Sequence, residues 1–342
     1  MGINRFVVVF ESDQAVYSSG QDVAGFVELF VESIMACRAI LVKARGFGKV
    51  NYLGSENEET YMLETVTVWC GSSQGENLQP GTHMFPFRFK VPQRVPSSYE
   101  STYGHIRYMV EAMAEIPWGE NVTTQKDFKV DSRYDLIQDE DASLPLRFVK
   151  EESVCCCCCE QGPVNIALTA EKTGYIPGEY ILLTGEVTNR AGWHIENSVI
   201  KLIQTIKYKV ENDSHQEIET IQRLGRPGIL AGDTDVWLSV PLRIPEMAAC
   251  LQYCNIMKAK YEVEITFCMG FCSDAMVKED IIVGSSPVGK VTMALEGLVP
   301  SPSAPKPSAP PLYNSTEPIS QELKPVITQQ PTATCDTSPT AI

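Results

Sequence analysis

PGTHMFPFRFKVPQRVPSSYESTYGHIRYMVEA, residues 80–112, decides how the rest of the chain is read. It holds two short apolar runs, FPFRFKV (85–91) and IRYMVEA (106–112), separated by prolines, serines and glycine. Runs of that length, rich in Val, Ile, Phe and Tyr and closed by turn residues, read as β-strands. The same grammar extends outward in both directions. RFVVVF (5–10), GFVELFV (25–31), ETVTVW (64–69), YILLTGEV (180–187), VIKLIQTIKYKV (199–210), DVWLSVPL (235–242) and KYEVEITF (260–267) repeat it. SSGQD, QPGTH, YIPGE and GRPGI supply turn signals. No long amphipathic helical pattern appears, so the strand spacing predicts antiparallel sandwiches rather than alternating β/α units.

The stretch also has an echo. Pro92 to Tyr108 and Pro245 to Tyr261 are the same length, and each Tyr opens a similar run, YMVEA and YEVEI. Tyr17-x-x-Gly20 recurs as Tyr175-x-x-Gly178, and Gly81 leading to Pro92 recurs as Gly232 leading to Pro245. Four matches in the same order predict two sandwiches of one plan, at 5–150 and 160–298, because a shared plan needs turns and strand ends at matching places.

The remainder, 299–342, has another character. Ten of the 22 prolines lie in 300–342, whose charged side chains are Lys306, Glu317, Glu322, Lys324 and Asp336. With few large apolar groups to bury, such a segment cannot offset its ordering entropy, and we expect a disordered Pro-rich tail.

Composition bounds the partners. A net charge of −15 disfavours nucleic acid, because phosphate binding needs a basic field. The opening MGINRFVVVFESD has too short an apolar run for a signal peptide, Phe6 argues against myristoylation, and no stretch approaches the length of a membrane span. The expectation is a cytoplasmic protein with reduced cysteines, in which the N-x-T matches at Asn121 and Asn314 are chance.

PGTHMFPFRFKVPQRVPSSYESTYGHIRYMVEA, YSSGQDVAGFVEL (17–29) and KTGYIPGEYILLTGEV (172–187) together resemble the arrestin domain-containing proteins, or α-arrestins. The resemblance implies an all-β fold of two tandem arrestin-like, immunoglobulin-like antiparallel β-sandwiches joined by a short hinge. It also implies an adaptor whose body engages membrane cargo, a transmembrane receptor or transporter, and whose tail recruits WW-domain ubiquitin ligases of the HECT class. Recruitment to plasma membrane and endosomes follows from that role. The chain departs from the family pattern in carrying one PPxY motif where relatives carry two or more.

SPSAPKPSAPPLYNS (301–315) holds the tail motifs. In PPLY, Pro310 and Pro311 pre-set a polyproline II helix, so little entropy remains to be lost on docking in an aromatic-lined WW groove. Tyr313 adds a large ring with a polar tip. The blander reading is a linker that matches by chance. Two PSAP copies, Pro302-Ser303-Ala304-Pro305 and Pro307-Ser308-Ala309-Pro310, resemble the motif read by the endosomal sorting (ESCRT) machinery. That resemblance supports the alternative of a vesicle-budding or sorting component. Pro310 belongs to the second PSAP and to PPLY, and one residue cannot fill two pockets. The ending Thr340-Ala341-Ile342 matches a PDZ ligand, a pattern common by chance.

The cysteine run Cys155, Cys156, Cys157, Cys158 and Cys159 falls where a hinge or the first strand of the second half is expected. Three readings stay open: small apolar residues, S-acylation and soft-metal binding by thiolates. Cys250-x3-Cys254 and Cys268-x3-Cys272 invite a zinc reading, but the intervening strand holds the pairs about 36 Å apart. The four histidines, His83, His105, His194 and His215, sit in no catalytic motif, and Asp139-Glu140-Asp141 reads as a solvated loop. No catalytic residue, metal or cofactor is assigned.

Overall fold

The computed structural model describes residues 3–71, 77–156, 159–211, 213–246, 250–270 and 273–285, with backbone alone over 154–161. The tail motifs, the PDZ-like ending, Cys157, Cys158 and Cys272 lie outside the described residues, as does the expected disorder of 299–342.

The first half runs β1 (Ile3–Phe10), β2 (Val16–Ser18), β3 (Asp22–Val31), β4 (Ala39–Tyr52), β5 (Ser55–Cys70), β6 (Gly81–Lys90), β7 (Tyr99–Glu100), β8 (Gly104–Glu115) and β9 (Val122–Asp131). Two short 3-10 turns, Leu136–Gln138 and Glu140–Ser143, follow. The second half runs β10 (Leu146–Cys156), β11 (Cys159–Ala170), β12 (Gly174–Tyr175), β13 (Tyr180–Asn189), β14 (Ile195–Lys209), β15 (Ser214–Ile229), β16 (Thr234–Arg243), β17 (Met257–Cys268) and β18 (Ala275–Val283). The partition expected at 150 and 160 divides β10, whose whole length pairs with β11.

Alternation explains the layers. Along β6, Phe85, Phe87 and Phe89 point into the core while Pro86, Arg88 and Lys90 face outward. In the first sandwich a sheet of order β1-β3-β6 packs on one of order β2-β9-β8-β4-β5, with β7 against β8. In the second, β10-β11-β13-β16 packs on β12-β18-β17-β14-β15. Position by position the two larger sheets have one order, and β1-β3-β6 answers to β11-β13-β16. β10 is the extra strand of the second sandwich.

The echo seen in the sequence is therefore physical. β2 pairs in parallel with β9, and β12 does the same with β18. Gly20 N donates to Val91 O and Val91 N to Gln21 O; Gly178 N donates to Ile244 O and Ile244 N to Glu179 O. Gly20 and Gly178 both take left-handed φ, +79° and +88°, where a side chain is strained. Tyr108 and Tyr261 are buried at matching places, and the Tyr108 hydroxyl donates to Pro96 O at 2.6 Å.

Two readings change. GRPGI, read as a turn, lies inside β15. Pro227 is tolerated there because β15 is an edge strand, where a missing N–H breaks no ladder; Pro86 in β6 and Pro241 in β16 sit on edges for the same reason. The acidic run is not merely solvated. Asp135 accepts from Ile137 N and Asp139 from Asp141 N, capping the two 3-10 turns.

One polar network closes the open side of the second sandwich. Asp235 on β16 accepts from both Arg226 on β15, at 3.0 Å, and the fully buried Trp237 Nε1, at 2.7 Å. Arg226 also stacks over the Trp237 ring at 4.6 Å. Replacing Asp235 by Ala strands an indole N–H and a guanidinium together, at about 2–3 kcal/mol. Urea unfolding will show that loss for Asp235→Ala and a smaller one for Asp235→Asn, which keeps an acceptor; equal stability of all three proteins would contradict this account.

Candidate functional site: the joint between the sandwiches

The tail motifs being outside the described residues, the site that can be built from side chains is the joint where the two sandwiches meet. The ends of β14 and β17 reach beyond their own sandwich. Tyr208, Val210, Ile256, Met257 and the preceding Leu251 and Cys254 belong to the first sandwich's core cluster.

Three sets of contacts hold this joint. The first is polar. The Tyr61 hydroxyl on β5 lies 3.1 Å from Cys254 Sγ and 3.0 Å from Glu59 Oε2. Glu59 accepts from Asn255 N at 2.8 Å and from the Asn255 side-chain amide. Asn57 Nδ2 donates to Lys209 O at 3.1 Å. Burial, helped by the Cys254 contact and the Glu59 charge, pushes the Tyr61 phenol far above its usual range. Burial also raises the Cys254 thiol, against hydrogen bonds from Tyr61 and backbone N–H groups that favour the thiolate.

The second is aromatic. Tyr52 ends β4 and Tyr103 precedes β8, while Tyr208 and His215 flank the β14–β15 turn. The His215 imidazole stacks on Tyr52 at 4.3 Å and 18°, and meets Tyr103 edge-on at 4.4 Å. Tyr208 lies 5.6 Å from Tyr103, and its hydroxyl donates to Glu217 Oε2 at 2.6 Å. Such pairs contribute roughly 0.5–1.5 kcal/mol each beyond area burial.

The third set pins the linker. Ser132 N donates to Ser97 Oγ, Tyr134 N to Ser285 Oγ and Ser285 N to Tyr134 O. The Tyr134 hydroxyl donates to Asp139 at 2.7 Å; that bond first, then burial, lifts its phenol to about 12. Beside this linker a cleft of about 900 Å³ opens between the sandwiches, with Tyr99, Phe128 and Leu251 as apolar wall and Arg107, Asp131 and Glu246 at its rim. Arg107 is held by Glu100 through two bonds of 2.7 and 2.9 Å.

The cysteine run is neither hinge nor single strand. Cys155 and Cys156 end β10 and Cys159 begins β11, with Cys156 opposite Cys159. The neighbour of this strand pair is the loop after β13, since Arg190 N donates to Pro163 O. Cys254 precedes and Cys268 ends the twelve residues of β17. Among the described residues, no three His, Cys, Asp or Glu side chains cluster as a metal site would need. His83 contacts Gln79 O, and His105 packs edge-on against Phe47. His215 is the histidine that enters the joint. The signal that could have found it is its place beside the second long hairpin, facing Tyr52 at the end of the first.

Thiol accessibility tests this geometry. Cys70 is exposed, whereas Cys37 and Cys254 are 4% exposed and burial lifts Cys37 to about 11. Alkylation of the native protein with mass-spectrometric mapping will mark Cys70 and spare Cys37 and Cys254. Buried Cys254 reacts only when the joint opens and Tyr61 has left it, so Tyr61→Phe, which removes one hydrogen bond from the closed state alone, will raise the Cys254 rate about fivefold and leave Cys37 unchanged. Equal labelling of Cys254 and Cys70 in the native protein would rule out the joint as described.

Comparison with known proteins agrees with this architecture. Residues 6–137 match the arrestin (or S-antigen) N-terminal domain and residues 160–288 the arrestin (or S-antigen) C-terminal domain. Arrestin domain-containing protein 17 of Caenorhabditis elegans is 26% identical over 286 residues, covering 77% of this chain and 67% of the relative. Arrestin domain-containing protein 4 of Mus musculus is 26% identical over 298 residues, 82% and 71% of the two chains. Thioredoxin-interacting protein of Homo sapiens is 23% identical over 296 residues, 83% and 75%. With both arrestin domains matched in order and two sandwiches of one plan joined through a shared core, the chain belongs to the arrestin family, among the α-arrestins.

Proposed function

We propose that the protein is an adaptor that links a membrane-protein cargo to a WW-domain ubiquitin ligase of the HECT class, and so directs the cargo to ubiquitination, endocytosis and endosomal sorting. Arrestin-family membership supports the general part of this reading, a protein that works by binding other proteins. The observation that carries the specific part is the PPLY motif, Pro310, Pro311 and Tyr313, in a Pro-rich segment behind the double sandwich. In this role the body binds cargo and the chain performs no bond chemistry. Bringing ligase and cargo lysines onto one molecule raises their effective concentration, which accelerates transfer by proximity. Among the described residues no helix is long and apolar enough to cross a membrane, so the cargo supplies the membrane segment in this scheme.

The two PSAP copies, Pro302–Pro305 and Pro307–Pro310, serve as ESCRT ligands in the same scheme, with Thr340 and Ile342 as a PDZ ligand. Cys155–Cys159 is a candidate S-acylation run. Cys155 and Cys156 end β10 and Cys159 begins β11, and clustered thiols of this kind suit acylation.

A pull-down of the full chain with an isolated WW domain tests the central claim. Tyr313→Ala will abolish capture, while Ser303→Ala with Ser308→Ala will leave it intact; undiminished capture by Tyr313→Ala would refute the reading. Because Pro310 serves two motifs, added WW domain will displace an ESCRT sorting domain from a chain whose first PSAP is inactivated by Pro302→Ala and Pro305→Ala. Stable ternary complexes with that variant would show that the sharing is harmless.

A further inference from the structure

The cysteine run has one feature that acylation does not use. In the β10–β11 ladder Cys156 stands directly opposite Cys159, while Cys155 stands opposite Glu160. Directly opposed residues of an antiparallel pair have Cα atoms about 4.5 or 5.5 Å apart, according to whether the rung is hydrogen-bonded. A disulfide spans about 4.4–6.8 Å between Cα atoms, so either kind of rung lies within its reach. Among the described residues no other cysteine has a cysteine across the ladder from it: Cys70 faces Ala39 and Cys268 faces Asn197.

Two features of the backbone set this rung apart. The first is a bulge. Ser153 pairs with Pro163 and Cys155 with Glu160, so Val154 on β10 opposes both Gln161 and Gly162 on β11. Gly162 takes φ +96°, and a Cβ there would sit 2.7 Å from Arg190 O. A glycine is therefore required where the ladder is interrupted, and the two rungs beyond it are separated from the long ladder behind. The second feature is the lack of a neighbour in the sheet. β13 pairs with β11 only from Val164 to Thr169, and β10 is an outermost strand. Among the described strands, the last two rungs have no partner on either flank. A two-stranded ribbon of that kind is marginally stable in water, and its local opening admits small reagents.

We infer that Cys156 and Cys159 are a redox pair that closes and opens a cross-strand disulfide. The oxidant is a small disulfide of the glutathione class. The thiolate of one cysteine attacks a sulfur of glutathione disulfide, that S–S bond breaks, and one glutathione thiolate leaves. The thiolate of the second cysteine attacks the protein sulfur of the mixed disulfide and expels the other glutathione. Two protein thiols give up two protons and two electrons, and one glutathione disulfide becomes two glutathione thiols. Excess reduced glutathione runs the same steps backward. The ring so closed spans only residues 156–159, which removes little entropy from the unlinked chain. The disulfide is weakly held, and the pair acts as a switch rather than as a structural staple. The inference does not need the acylation reading but bears on it, because a sulfur held in the disulfide has no thiol to acylate.

Differential alkylation of the folded full chain tests this. The protein is equilibrated with reduced and oxidised glutathione in varied ratio, and free thiols are blocked with N-ethylmaleimide. Disulfides are then reduced and labelled with deuterated N-ethylmaleimide, and tandem mass spectrometry locates the second label. It will fall on Cys156 and Cys159 together, and restoring reduced glutathione will remove it. Intact mass before the reduction step will show the loss of two hydrogens and no bound glutathione. Cys156→Ser will stall at the mixed disulfide, with glutathione bound to Cys159, whereas Cys157→Ser with Cys158→Ser will still close the pair. Second label spread over all five cysteines, as in the same chain unfolded in urea, overturns the proposal. A Cys159 disulfide that closes within the Cys156→Ser chain overturns it, and so does a parent chain that stays reduced at every ratio. The folded and urea-unfolded parent proteins alone decide the question if a variant fails to fold.

Discussion

Burial of Tyr208, Leu251, Ile256 and Met257 among the side chains of the other sandwich is the constraint on which the rest of the molecule depends. β14 and β17 are long enough to line their own core and then run past it. Their ends would expose aromatic and aliphatic groups to water if the first sandwich were absent. Polar contacts around them set the geometry: Glu59 grips Asn255, Tyr61 meets Cys254, and the His215 ring of the second half lies against Tyr52 and Tyr103 of the first and beside its own Tyr208. Apolar burial supplies the strength and the polar groups fix the angle, as in other packed β-structure where buried polar atoms must find partners.

This joint explains why the linker can be short and still ordered. Serines at 97, 132 and 285 and the backbone of Tyr134 tie three separate stretches of chain together at one point. Leu136 is fully buried behind them, and a side chain at Gly284 would strike it at 2.6 Å. A body held in this way can present a binding surface of fixed shape, which suits an adaptor: binding then orders little that was not already ordered.

Much of the fold could be read from residues alone, and the reasons are local. Alternation in FPFRFKV and the paired Pro-to-Tyr spacings report strand faces and turn positions directly, because side-chain period and left-handed glycines leave marks within a few residues. β15 was harder. Its last five residues, GRPGI, read as a turn, since an edge strand needs neither apolar alternation nor a full set of N–H donors. The joint was harder still. Tyr61 and Cys254 are 193 residues apart, and nothing near either one announces the other. Asp139 shows the same limit on a small scale: three acids in a row look solvated, whereas capping geometry gives one of them a structural task. The PPLY and PSAP motifs are the reverse case, named from residues alone and lying outside the described residues.

The strand-bound prolines have a consequence for how such a protein tolerates crowding. Pro86, Pro227 and Pro241 each interrupt an outermost strand. High local density brings many open sheet margins close together, the circumstance in which margins zip into filaments. A missing donor in each of these rows interrupts that growth, so proximity alone does not seed a fibril.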